Sequence, residues 1–158
     1  MPGVDSGEIE AAAADALAPF EGDGDENPYT IHRELQDMMQ TLVGIIRNES
    51  ELREARERLA VFKERTKRVR LEGNRHYNPG WHLALDLRSM LTVAELITQG
   101  AIERRESRGG HTREDYPKAD PHFGTVNIVQ TMRDAEIAWR EEPLLEMPGD
   151  LKRLFEED

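Results

Sequence analysis

From Asn27 onward, apolar residues recur every three or four positions. Ile31, Leu35, Met38, Met39, Leu42, Ile45 and Ile46 fall on one face of a helix. Asn27 can cap its exposed amides, Pro28 suits the first helical position, and Asn48 is expected to close it. Ser50 is expected to cap a second helix whose stripe is Leu52, Ala55, Leu59, Phe62, Thr66 and Val69, the seam spacing of packed helices, with Gly73 as its breaker. Asn78-Pro79 repeats the start signal. A third helix is expected from about Pro79 to Arg108, stopped by Gly109-Gly110. Its apolar residues, from Leu83, Leu87 and Leu91 to Val93, Ile97 and Ile102, occupy more than one face, so it should touch both partners and something further. The pattern predicts a mainly α fold: an antiparallel three-helix bundle, up-down-up, over residues 28–117.

The ends read differently. EIEAAAADALAPF, from Glu8 to Phe20, can form one short helix, and EGDGDEN is expected to be a mobile acidic linker, so residues 1–27 form a lead-in. After Pro121, β-branched residues place Val126, Ile128 and Met132 on one side of a strand. EIAWR can pair with it across a turn at Arg133-Asp134-Ala135. Residues 118–158 therefore read as a β-hairpin and an extended C-terminal tail with a last helical turn.

Charge narrows the function. The net charge is −11, which opposes non-specific nucleic-acid binding. One local exception, Lys63 to Arg75, carries six Lys or Arg against two Glu. The absence of cysteine removes disulfides and thiolate metal sites. Apolar residues make up 37% of the chain, little for a self-sufficient core, so some surface is expected to lean on another body.

The densest chemistry lies in ESRGGHTREDYP, residues 106–117. His76, His82 and His111 with Glu106 or Asp115 could form a metal set, but no helix-spaced His pair supports it. Gly109-Gly110 follows a helix, the wrong end for a phosphate cradle. His111 with Asp115 or Glu106 could act as acid and base, though neither Ser107 nor Thr112 has the surroundings of an activated nucleophile. The competing reading is an ion-pair loop in which Arg108 and Arg113 fork onto carboxylates. Tyr77, Trp81, Tyr116 and Trp139 read as packing anchors.

The run HYNPGWHLALDLRSMLTVAELITQGAIERRESRGGHTREDYP, His76 to Pro117, resembles the C-terminal region of the flavoprotein subunit of succinate dehydrogenase and fumarate reductase. That family shows a Leu-, Met- and Ala-rich helix, then ESRG, a small residue, His, one residue, Arg, one residue, Asp, an aromatic and often Pro. Here these are Glu106-Ser107-Arg108-Gly109, Gly110, His111, Arg113, Asp115, Tyr116 and Pro117. L-aspartate oxidase is similar through the same loop but ends soon after it, whereas about forty residues follow Pro117 here, as in the first family.

The resemblance implies a parent enzyme of electron transport and the tricarboxylic acid cycle that interconverts succinate and fumarate. FAD is bound by a large N-terminal part, a capping part closes over the substrate, and electrons pass to an iron–sulfur subunit. The parent complex would sit peripherally on the cytoplasmic face of the inner membrane, meeting the membrane only through partner subunits. The glycine-rich FAD fingerprint and the catalytic segments have no counterpart in this sequence, so the chain is expected to be a C-terminal piece that is inactive alone and binds no FAD or metal. Residues 1–27 would be the end of the flavin-binding part. Glu106, Arg108, Gly109, His111, Arg113 and Asp115 would form a loop that docks the helical domain on the flavin-binding and capping parts, with His111 holding the turn. The alternative is a stand-alone helical adaptor whose basic Lys63–Arg75 stretch and acidic linker are partner surfaces.

Overall fold

The computed structural model describes residues 3, 5–133 and 136–153, the side chain of residue 133 excepted. Helix α1 spans Ser6–Glu21, α2 Pro28–Leu42, α3 Glu49–Thr66 and α4 Pro79–Glu103. Two-residue strands β1 (Ile46–Arg47) and β2 (Thr112–Arg113) pair in parallel. A 3-10 turn at His122–Gly124 leads into β3 (Val126–Arg133) and β4 (Glu136–Pro143), an antiparallel hairpin, and a last turn α5 follows at Gly149–Lys152. The two residues between β3 and β4, which belong to the expected hairpin turn, lie outside the described residues.

The stripes read from the sequence become the core. Ile31, Leu35, Met38 and Leu42 of α2 meet Leu52, Ala55, Leu59 and Phe62 of α3 and Ala84, Leu87, Leu91, Ala94, Ala101 and Ile102 of α4. Each fully buried leucine contributes about 2 kcal/mol relative to exposure. The three helices pack pairwise, and α1 lies on α4. There Phe20 meets the Trp81 ring edge-on at 5.5 Å, and Trp81 Nε1 donates to the Ala16 carbonyl at 2.7 Å. Asn27 and Asn78 cap α2 and α4 by accepting from Tyr29 N and Gly80 N, each with Pro in the first turn.

Four local expectations are corrected. Asn48, not Ser50, caps α3: its side chain accepts from Glu51 N at 3.0 Å and from the Ser50 hydroxyl at 2.7 Å. The α2 helix stops at Leu42, so Ile45 and Ile46 leave the stripe for β1. The α4 helix ends at Glu103, five residues before the position expected, and Gly109-Gly110 is the tip of a tight turn beyond it. Tyr77 is fully exposed and adopts φ 54, so it anchors nothing.

The acidic linker is pinned, not mobile. Glu26 N donates to Arg68 O at 3.1 Å and Arg70 N to Glu26 O at 3.0 Å. Gly24 permits this approach, since a Cβ there would fall 2.0 Å from Arg68 O. Arg65 then forks onto Glu26, with Nε to Oε1 at 2.7 Å and Nη2 to Oε2 at 2.9 Å.

Candidate functional site

The loop after α4 is built around two enclosed charges of opposite sign. Arg113 is 0% exposed. Its Nε and Nη2 donate to Asp115 Oδ1 and Oδ2 at 2.8 and 2.7 Å, a bidentate fork. Nη2 also donates to Glu49 Oε2 at 2.7 Å, and Nη1 to the carbonyls of Ala101 at 2.7 Å and Ile102 at 3.3 Å. These contacts use all five guanidinium hydrogens. They explain the early end of α4: two of its last carbonyls, without partners inside the helix, are taken by a side chain arriving from β2. Asp115 Oδ2 in turn accepts from Glu49 N at the start of α3, at 3.1 Å.

Glu106 is the second centre and is also 0% exposed. Arg104 Nε donates to its Oε1 at 2.8 Å, and Arg108 Nε reaches Oε1 and Oε2 at 3.0 and 3.1 Å. The Asp120 amide donates to Oε2 at 2.8 Å. Burial alone would raise this carboxyl, but Arg108, the Asp120 amide and Arg104 outweigh it and hold it at about 2. The Asp115 carboxyl is likewise held at about 2, chiefly by its bond from Arg113. Both are ionised at neutral pH, and the loop is an internally compensated ionic frame.

The turn itself is tight. Arg108 N donates to His111 O at 2.8 Å and His111 N to Arg108 O at 3.0 Å, with Gly109 in the left-handed region at φ 58. His111 Nε2 donates to the Arg104 carbonyl at 2.8 Å, and burial first, then three nearby arginines, push its pKa below the ordinary 6.5. The imidazole is thus a neutral strut on backbone and makes no carboxylate bond of the kind an acid–base pair needs. The Ser107 hydroxyl accepts from Arg113 N at 2.9 Å and donates to Tyr116 O at 2.8 Å, which leaves it no proton for nucleophilic work.

All six loop residues singled out from the sequence therefore come together, while His76 and His82 lie outside the loop's bonded network. Among the described residues, no three His, Asp or Glu side chains form a metal-ligand set. Sequence reasoning missed Glu49, Arg104 and Asp120. Arg104 was findable as a cation two residues from Glu106, but Glu49 belongs to a helix start 64 positions away from Arg113. Five of the six cations of the basic Lys63–Arg75 stretch pair within the chain: Lys63 with Glu95, Arg65 with Glu26 and Glu34, Lys67 with Glu64, Arg68 with Asp25 and Arg75 with Glu21.

The family described as Fumarate reductase flavoprotein C-term matches residues 32–148. The chain is 34% identical over 122 residues to the fumarate reductase flavoprotein subunit of Haemophilus influenzae, covering 74% of this chain and 20% of that protein. It is 39% identical over 99 residues to the corresponding subunit of Helicobacter pylori, covering 62% of this chain and 14% of that protein. Among solved structures, Mycobacterium smegmatis Sdh1 in complex with UQ1 superposes with a TM-score of 0.91 at 43% identity, covering 99% of this chain and 27% of that one. The chain spans a fifth or less of the length of these two curated relatives. With a family match over most of its length, the chain belongs to the fumarate reductase flavoprotein C-terminal family.

Proposed function

We propose that this chain is the helical C-terminal domain of a flavoprotein subunit that interconverts succinate and fumarate, and that its 106–117 loop seats it on the parts carrying FAD and substrate. FAD, the capping part and the contact with an iron–sulfur subunit belong to the rest of the complex, which is peripheral to the membrane. No helix among the described residues is long and apolar enough to cross a membrane, which is compatible with that placement. Glu106, Arg108, Gly109, His111, Arg113 and Asp115 have structural roles and the chain alone has no turnover.

The observation that carries this reading is that the loop's two buried charges are fully engaged by their neighbours. Arg113 has no hydrogen left for a substrate, and Glu106 accepts bonds from Arg104, Arg108 and the Asp120 amide. A site that binds dicarboxylates needs cations with free donors; a joint between two bodies needs a rigid, compensated frame. The experiment is Arg108→Ala in the full-length subunit. Reduced stability and flavin retention, with the substrate affinity of the intact fraction unchanged, is the expected result. Unchanged stability and flavin content with lost substrate binding would refute it. Desalting the chain after incubation with FAD should leave it colourless.

A further inference from the structure

Two isoleucines stand beside the ionic frame with their side chains in solvent: Ile45 is 67% exposed and Ile46 62%. They are held in place. Thr112 N donates to Ile45 O and Glu114 N to Arg47 O, each at 3.0 Å, and the β1–β2 register sets Ile46 beside Thr112. The turn before them is equally fixed. A Cβ on Gly44 would fall 2.8 Å from Gln40 O, and Arg47 Nε donates to Gly44 O at 2.7 Å. Of the charges around them, Arg113 is enclosed, and Arg108, though 43% exposed, points its Nε and Nη2 at Glu106 and the Asp120 carbonyl. Ile45 and Ile46 thus form a fixed apolar step on the surface beside the frame.

Resting on the docking role proposed above, we infer that Ile45 and Ile46 make the apolar contact by which this chain seats on the flavin-binding part of its own subunit, and that the ionic frame serves to aim them. Two side chains form too small a patch to hold independent molecules together, since stable interfaces bury about 1,200–2,000 Å². Within one polypeptide the partner is already present at an effective concentration in the millimolar range, so a small apolar contact suffices. The curated relatives carry the matched region as 14–20% of a longer flavoprotein subunit, which makes the remainder of that chain the tethered neighbour. Its surface facing the isoleucines is apolar, the complement of two exposed branched side chains.

The test grafts this chain onto the rest of the Haemophilus influenzae fumarate reductase flavoprotein subunit, in place of the region it matches. The readout is the rate of protease cleavage at the junction. The double variant Ile45→Asp, Ile46→Asp should raise that rate by tenfold or more, while Ile45→Val, Ile46→Val keeps most of the protection. Ile9→Asp, at an exposed position of α1, should leave it unchanged. Circular dichroism of the chain alone should not differ between the aspartate variant and the parent. Equal cleavage of parent and aspartate grafts, with both protected, overturns this inference and leaves the docking role standing. An unprotected parent graft overturns both. A dimer of the parent chain on gel filtration that the aspartate variant turns into a monomer would make a second copy the occupant and also refute the inference.

Discussion

Arg113 and Asp115 lie on one tight turn, and their side chains meet in two parallel bonds of 2.8 and 2.7 Å while the same guanidinium holds the last carbonyls of α4. One side chain thereby joins the end of one helix, the start of another and the loop between strand and tail. Removing it should cost more than a surface ion pair does. Arg113→Ala should destabilise the chain by about 3 kcal/mol in urea unfolding. Arg113→Lys should recover less than half of that, because a single ammonium cannot reproduce five fixed donors.

Glu106 and Asp115 set the acid limb of stability. Their carboxyls lie at about 2, against usual values of 4.5 and 3.8. A lowered native pKa means that the stabilisation is complete above the unfolded value and is lost as protons bind. Stability should therefore fall from about pH 4.5 down to about pH 2. Glu106→Gln should flatten this slope and cost about 2 kcal/mol at pH 7, because a neutral amide makes weaker bonds to Arg104 and Arg108. Urea midpoints at pH 7 and pH 3 for both proteins decide it.

Two histidines should titrate on opposite sides of 6.5. Burial and nearby cations lower His111, whereas Glu141, 2.9 Å from the ring, raises His122. The His111 contribution is therefore lost as pH falls below 6.5 towards its native value. That of His122 is present below 6.5 and lost as pH rises through its native value. Imidazole NMR shifts followed from pH 5 to 8 should separate the two, and Glu141→Gln should bring His122 back towards 6.5 while leaving His111 unmoved.

Gly24 carries the approach of the acidic segment to residues 68–70. A methyl group there meets backbone at 2.0 Å, which no side-chain rotation relieves. Gly24→Ala should break the bonds from Glu26 N and Arg70 N and cost about 1–3 kcal/mol. Faster hydrogen exchange at the Arg70 amide is the direct check.

The helices were legible because their signals are local. Asn27-Pro28 and Asn78-Pro79 write their own caps, and the stripes at Ile31–Leu42 and Leu52–Phe62 repeat within single elements. The loop residues were legible as a group because they are contiguous. What could not be read was the joining. The β1 strand is two residues long and pairs with residues 66 positions later, so neither periodicity nor composition marks it. The end of α4 was misplaced because Arg104 and Arg105 continue a good helix-forming sequence. The chain leaves the helix where Arg113 captures the carbonyls. The linker's glycines suit flexibility as well as they suit the close contact that Gly24 makes, so composition alone points to a mobile segment.

The pairing of Ile46–Arg47 with Thr112–Arg113 also orders events in time. It closes a span of more than sixty residues, so it should form late, after α3 and α4 have docked. Substitutions in this clasp should then leave the refolding rate nearly unchanged and shorten the lifetime of the folded chain. The ionic clasp thus acts as a latch against opening, closed last and released first.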